Sequence, residues 1–177
     1  MEKPLNYVEI KPGRERSKTL IVRLTFLIFV RSLQSLSRFD PVVKKELLNW
    51  SNNYSIMYKV QPNGPRISIA NVNGILKKVN IKEQEVDMIV YIKNITSAFL
   101  IMSSRIGSIQ AFIEHRAYIK GDVRMAKSLL RILDRMMTYL YPRFITKRIV
   151  KRLPSIPWYQ RYRRRIRIYL LGIPFGY

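Results

Sequence analysis

Few side chains in this sequence could carry out catalysis. The chain has no cysteine and one histidine, His115, which removes disulfides, cysteine nucleophiles and most metal sites from consideration. The one acidic cluster, Glu83, Glu85 and Asp87, has the every-other spacing of a solvated strand edge. The sequence also lacks a phosphate-binding loop and a nucleophile motif. It therefore predicts a protein that is not an enzyme and has no cofactor or metal, and the lack of cysteine fits a cytoplasmic location.

Basic residues are the most unusual feature of the composition. The 33 Lys and Arg residues against 11 Asp and Glu give a net charge of +22, and 11 basic but no acidic residues follow Asp134. Such a basic end suits a polyanion, which is either nucleic acid or an anionic membrane surface.

Aromatic and aliphatic residues alternate with arginines after Pro157. This mixture favours contact with a membrane at the level of the lipid head groups, while nucleic acid and a protein partner stay open as alternatives. The predicted membrane contacts are Arg148, Lys151, Arg152, Trp158, Tyr159, Arg161, Arg163, Arg164 and Arg165.

The N-terminal part predicts an irregular arm followed by helices. Residues 1–18 are polar and contain two prolines, whereas residues 19–37 have helical periodicity. The apolar stretch at 19–30 has about 12 residues, fewer than the about 20 that cross a bilayer as a helix. This helix is therefore expected to be buried or to face a membrane, and Asp40-Pro41 predicts the start of a second helix.

Period-two alternation predicts the sheet. Residues 54–60, 67–69 and 75–81 alternate and are separated by Asn63-Gly64 and Asn73-Gly74, which are strong hairpin signals because both residue types tolerate positive φ. Residues 86–92 predict a fourth strand.

The second half of the chain predicts a helix, a strand and a long helix. Asn94 or Thr96 can cap a helix that ends at Gly107, and residues 111–120 alternate as a fifth strand. Gly121-Asp122 then ends the strand and caps an amphipathic helix reaching Leu140. Tyr141-Pro142 interrupts that helix.

This order of elements, with the motifs Val86 to Ile92, Gly107, Ala111-Phe112 and Ile119-Lys120-Gly121-Asp122, resembles the sterol-carrier-protein-type lipid transfer family. The resemblance covers about residues 40–140. It implies an α+β fold in which helices cover a five-stranded, mostly antiparallel sheet, here with an extra N-terminal helix and a basic C-terminal extension. The predicted organisation is an arm (1–18), one domain (19–153) and a basic aromatic tail (154–177).

The resemblance also implies an internal apolar cavity for a fatty acyl chain, sterol, phospholipid or isoprenoid. Methionines suit such a cavity because their flexible side chains repack around varied ligands. The candidate lining residues are Phe99, Leu100, Met102, Ile106, Phe112, Met125, Leu129, Leu133, Met136 and Met137. His115, expected on the apolar face of strand five, is either an ordinary core or rim residue or, with Arg116, a contact for a lipid head group.

The sequence therefore predicts binding and transfer, or presentation, of an apolar lipid, with docking on anionic membrane through the basic end. The alternative function is nucleic-acid binding through the basic aromatic tail.

Overall fold

A computed structural model describes residues 15–150 and 153–175. The predicted arm lies outside the described residues except for its last four positions, and the first helix already begins at Arg16.

The described residues form eight α-helices and five strands. The helices are α1 (Arg16–Phe39), α2 (Pro41–Leu48), α3 (Ile95–Met102), α4 (Ser108–Ile113), α5 (Val123–Leu140), α6 (Arg143–Ile149), α7 (Trp158–Arg167) and α8 (Ile173–Phe175). The strands are β1 (Ser55–Val60), β2 (Arg66–Val72), β3 (Ile75–Val79), β4 (Met88–Ile92) and β5 (Ala117–Lys120). A 3-10 turn at Glu83–Glu85 precedes β4, and a π-helical segment at Ile168–Gly172 joins α7 to α8.

The strands form one sheet in the order β3-β2-β1-β4-β5. β1 pairs in parallel with β4, whereas the other three pairs are antiparallel. The predicted α+β class with a mostly antiparallel five-stranded sheet is confirmed.

The two faces of the sheet have different roles. Ile56, Tyr58 and Val60 of β1 are buried in the main core, on the face that the helices cover. Segment 80–87, which connects β3 to β4, passes over the other face, where Glu83 accepts hydrogen bonds from Lys59 Nζ at 2.6 Å and Tyr91 Oη at 2.8 Å. The helix-covered face is therefore the one that can bound an internal cavity.

Three predicted helix caps are present. Asp40 accepts from the backbone N–H groups of Val42 and Val43 at the start of α2, Asn94 caps α3 and Asp122 caps α5. Side-chain acceptors at these positions bind amide hydrogens that have no partner within the helix. α5 also ends at Leu140, just before Tyr141-Pro142, as the sequence predicts.

The two Asn-Gly pairs behave differently. Asn73 and Gly74 both have positive φ, at 53° and 77°, and form the predicted tight turn between β2 and β3. Asn63-Gly64 is expected to do the same between β1 and β2, but neither residue has positive φ. The connection there is longer than a two-residue turn: it spans residues 61–65 and contains prolines at positions 62 and 65.

The predicted fifth strand is wrong in its first half. Residues Ser108–Ile113 form α4, and only Ala117–Lys120 form β5. Gly107 does not end the preceding helix, since α3 already ends at Met102 and Gly107 is the N-cap of α4. A Cβ at Gly107 would clash with the carbonyl oxygen of Ile149, so this glycine permits close contact with the end of α6.

α1 is a core helix with one exposed side. By length and composition alone it could cross a membrane, but 44% of its most apolar stretch is buried within the protein. Val22, Phe26 and Leu33 belong to the main hydrophobic core. A buried core helix passes the same test of length and apolarity.

The C-terminal tail is folded onto the domain by an ionic cluster around Asp40. The Asp40 Oδ2 atom accepts hydrogen bonds at 2.6 Å from Arg135 Nε, Tyr139 Oη and Arg164 Nη1. Burial alone would raise the pKa of Asp40, but the hydrogen bonds from Arg135 and Tyr139 and the nearby guanidinium charges outweigh it and hold the pKa below its usual range. One carboxylate therefore links the α1–α2 junction, α5 and α7.

Candidate functional site

An apolar cavity of about 150 Å³ lies between the sheet and the helices. Its floor is the helix-covered face of β1, β4 and β5, and its walls come from α1, the end of α3, α4 and α5. The lining residues are Thr25, Ile28, Phe29, Tyr58, Val90, Ile92, Ile101, Met102, Ser108, Ala111, Phe112, Ala117, Ile119, Leu129, Leu130, Leu133, Met136, Met137, Leu140 and Tyr141.

The lining contains no charged side chain. Its polar groups are the hydroxyls of Thr25, Tyr58, Ser108 and Tyr141 together with backbone atoms. Because burying an uncompensated charge is very costly, this cavity suits an apolar or neutral molecule.

Six of the ten predicted lining residues border this cavity. They are Met102, Phe112, Leu129, Leu133, Met136 and Met137. Phe99, Leu100, Ile106 and Met125 lie outside the lining. Phe99 packs partly buried against the core with the Arg105 guanidinium 5.2 Å from its ring centroid, and Met125 also packs against the core.

Sequence reasoning assigns no role in the cavity to α1, to the sheet face or to the small residues. Thr25, Ile28 and Phe29 recur at i, i+3 and i+4 on α1, which is the helical spacing of a shared face. Ala111 and Ala117 leave space because their side chains are short. The spacing on α1 is a usable signal, but the space beside the two alanines depends on which elements face them.

α4 explains why Phe112 still reaches the cavity although its predicted strand is absent. Ser108, Ala111 and Phe112 are spaced i, i+3 and i+4, so one side of the short helix lines the cavity. The pattern of apolar residues over so few positions is compatible with either a short helix or a strand.

His115 and Arg116 lie in the loop between α4 and β5. His115 is exposed and has a φ of 53°, so the predicted position on an apolar strand face is wrong. Arg116 Nε contacts Glu114 Oε2 at 2.5 Å. Neither residue lines the cavity, although Ala117, the next residue along the chain, does.

Tyr58 is one of four hydroxyl-bearing residues in the cavity lining. Its ring packs edge-on against Phe29 with centroids 5.1 Å apart. Its hydroxyl is buried and has no hydrogen-bond partner among the described residues. Burial raises the pKa of Tyr58 far above its ordinary value, so the hydroxyl keeps its proton.

The cavity approaches the protein surface at α1. The side chain of Ile28 lines the cavity and is 40% exposed. It belongs to an exposed apolar stripe on the first half of α1, which comprises Leu20, Ile21, Leu24, Leu27 and Ile28. We call this set the α1 stripe.

The C-terminal tail covers the same side of α1 further along the helix. Arg31 follows Leu27 and Ile28 on this face, and its Nη1 donates to the carbonyl oxygens of Ile173 and Pro174 at 2.6 and 2.8 Å. Residues 173–174 of the tail therefore lie next to the α1 stripe.

α7 exposes its aromatic side and turns several arginines toward the protein. Trp158 is 81% exposed, and Tyr159, Tyr162 and Ile166 are also exposed. Arg164 binds Asp40, while Arg165 donates to the carbonyl oxygens of Tyr139 and Tyr141 at 2.8 and 2.6 Å. Two of the predicted membrane contacts, Arg164 and Arg165, are thus engaged inside the domain.

The other predicted membrane contacts fall into three groups. Arg148, Trp158, Tyr159 and Arg163 are exposed, whereas Arg161 is half-buried. Lys151 and Arg152 lie outside the described residues. In the part of the chain that the structure describes, no group of three acidic, histidine or cysteine side chains could hold a metal ion.

Comparison with known proteins finds matches among solved structures. No family model and no curated protein matches the sequence. The sterol carrier protein domain 2 of Helicoverpa armigera matches at 16% identity with a TM-score of 0.46, covering 83% of this chain and 100% of that one. The ubiquinone synthesis protein UbiJ-SCP2 matches at 10% identity with a TM-score of 0.46, covering 68% and 98%.

A conserved hypothetical protein of Thermus thermophilus also matches, at 13% identity with a TM-score of 0.45, covering 72% of this chain and 89% of that one. The predicted resemblance to the sterol-carrier-protein-type family is confirmed as a likeness of fold. At these identities and TM-scores it carries no information about what this chain binds.

Proposed function

We propose that this protein binds an apolar lipid in the cavity between its sheet and helices and carries or presents that lipid at an anionic membrane, without catalysing a reaction. The observation that carries the proposal is the uncharged internal cavity lined by α1, α4, α5 and the sheet. Each methylene transferred into such a site contributes about 0.8 kcal/mol.

The cavity must enlarge to hold a long chain. Its volume of about 150 Å³ suits a benzene-sized group, whereas ligand pockets commonly measure about 300 to 1,000 Å³. Met102, Met136 and Met137 line the cavity, and their unbranched side chains can change rotamer at low cost. We infer that these methionines move when a longer acyl or isoprenoid chain enters.

The proposed membrane-docking surface consists of the α1 stripe and the exposed aromatic side of α7. Trp158 and Tyr162 are suited to the head-group region, and leucines of the α1 stripe to the layer beneath it. Exposed Arg23 and Arg163 supply positive charge close to these apolar residues. Because Ile28 borders both the stripe and the cavity, a lipid could enter the cavity from the membrane side.

Mass spectrometry of natively purified protein tests lipid binding. We expect a lipid released on denaturation, and an Ala111→Leu variant should release less of it because the longer side chain occupies the cavity. The variant's melting temperature controls for folding. Absence of lipid from the native protein, together with no uptake of an added fatty alcohol, would contradict the proposal.

Vesicle flotation tests membrane docking. We expect Leu24→Ser to weaken binding to vesicles of phosphatidylcholine and phosphatidylglycerol, since Leu24 is 53% exposed on the α1 stripe. Leu48→Ser is the matched control, because Leu48 is a 63% exposed leucine on α2 outside the proposed surface. Equal losses in both variants would exclude the stripe from docking, and binding to single-stranded oligonucleotide but not to vesicles would favour the nucleic-acid alternative.

A further inference from the structure

Tyr58 is one of the residues that line the apolar cavity. The residue lies in the middle of β1, between Ile67 of β2 and Val90 of β4 in the sheet register. Its side chain lines the cavity, and its buried hydroxyl has no partner among the residues that the structure describes. A buried hydroxyl without a hydrogen bond destabilises the protein, so its presence here needs an explanation.

Nearby side chains do not account for this hydroxyl. Thr25 also lines the cavity, but its hydroxyl donates to the carbonyl oxygens of Ile21 and Val22 at 2.9 and 3.1 Å. An internal water needs about two to four polar partners, and the residues that share the cavity wall with Tyr58 are mostly aliphatic or aromatic. Ser108 and Tyr141 also line the cavity, but neither is hydrogen-bonded to Tyr58. A polar atom of a bound ligand can supply the missing partner.

We propose that the Tyr58 hydroxyl hydrogen-bonds an uncharged polar group of the lipid, such as a hydroxyl, a carbonyl or a protonated carboxyl. This inference rests on the proposed lipid-binding function and narrows the class of ligand. A carboxylate or phosphate would enter a cavity whose lining has no positive charge, at a high desolvation cost. The ligand is therefore a neutral lipid that carries at least one oxygen function.

Two probes of nearly the same shape distinguish the contribution of the hydrogen bond to binding affinity from that of apolar burial. Phenol and toluene both suit a cavity of about 150 Å³, and only phenol has a hydroxyl. We expect Tyr58→Phe to weaken phenol binding about fivefold or more, which corresponds to one net hydrogen bond. Toluene binding should stay unchanged or become tighter, and benzoate should bind the native protein more weakly than phenol.

Tyr54→Phe is the matched control. The hydroxyl of Tyr54 is likewise buried without a partner among the described residues, but Tyr54 packs against Trp50 and is not part of the cavity lining. We therefore expect Tyr54→Phe to leave the affinities for both probes unchanged. Isothermal titration calorimetry or ligand-observed NMR measures these affinities.

The outcomes distinguish the inference about the Tyr58 hydrogen bond from the proposed binding of apolar molecules in the cavity. If toluene binds and phenol affinity does not change in Tyr58→Phe, the hydrogen-bond inference is wrong and the apolar cavity stands. Equal loss of both probes in Tyr58→Phe also overturns the inference, since it would mean that the ring and not the hydroxyl matters. If neither probe binds the native protein, the cavity itself does not take small apolar molecules and the proposed function fails.

Discussion

At the scale of single residues, two aspartates have opposite electrostatic surroundings. Asp40 lies among Arg135, Tyr139 and Arg164, and these partners hold its pKa low. Burial on α5 instead raises the pKa of Asp134 to about 6. A carboxylate whose pKa is raised by folding destabilises the native state once the pH is high enough to ionise it.

Asp134→Asn should therefore stabilise the protein at pH 7. The cost of ionising Asp134 develops as pH rises from about 4, the unfolded pKa, through about 6, the folded pKa. We expect the variant to gain about 1 kcal/mol of unfolding free energy at pH 7, since partial exposure screens the effect. Urea unfolding at pH 7 and pH 4 measures this gain, and an equal gain at both pH values would contradict the explanation by ionisation.

At the scale of elements, Arg164 attaches α7 to the rest of the domain. Its guanidinium donates to Asp40 Oδ2, whose side chain is fully buried, and lies 5.7 Å from the centroid of the Tyr139 ring. Removing one partner of a buried ion pair leaves the other partner without full compensation. Without Arg164, Asp40 still forms an ion pair with Arg135, so only part of the stabilisation is lost.

Arg164→Met should lower the free energy of unfolding by about 1 to 3 kcal/mol and make the tail more sensitive to limited proteolysis. Arg163→Met is the control, because Arg163 is the neighbouring residue and is exposed. Proteolysis followed by mass spectrometry locates the cleavage sites. Equal proteolysis of the two variants would show that the ion pair does not attach the tail.

Acidic pH should also detach α7 from the rest of the domain. The folded pKa of Asp40 is lowered, so its contribution to stability is fully present above the unfolded pKa of about 4. That contribution is lost as pH falls through the still lower folded pKa. We expect tail proteolysis, measured with an acid-active protease, to increase below about pH 4 in the native protein. Arg164→Met should show little further increase over the same range.

At the scale of the whole molecule, a high positive charge is combined with exposed apolar side chains on α1 and α7. The chain carries a net charge of +22, and Ile173 and Pro174 of the tail adjoin the α1 stripe through Arg31. Electrostatic attraction to anionic lipid is screened by salt, whereas insertion of apolar side chains is not weakened by it.

Vesicle binding should therefore fall with added salt but persist at a reduced level. In a Trp158→Ser variant the persistent part should shrink, because Trp158 is the most exposed aromatic residue of α7. Flotation at low and high sodium chloride measures both parts. Complete loss of native binding at high salt would mean that charge alone holds the protein on the vesicle.

Local signals in the sequence determined much of the fold. Asp40, Asn94 and Asp122 cap helices where the sequence predicts them, because a cap depends on only a few neighbouring residues. The alternation in β1 and β4 and the Asn73-Gly74 turn are equally predictable, since strand faces and positive φ are local properties. Five of the cavity residues, Met102, Leu129, Leu133, Met136 and Met137, lie on helices that the sequence predicts, whereas the sequence predicts Phe112 on a strand.

Only the tertiary structure decided the features that depend on distant neighbours. Ser108–Ile113 forms a helix although its apolar alternation also fits a strand. Gly107 does not end a helix but allows the backbone to pack closely against Ile149. Arg164 and Arg165 turn inward because Asp40, 124 residues before Arg164 along the chain, and the end of α5 accept their hydrogen bonds. The Tyr58 hydroxyl has no hydrogen-bond partner among the described residues, which is likewise a result of packing, since local sequence cannot show which groups will surround a buried side chain.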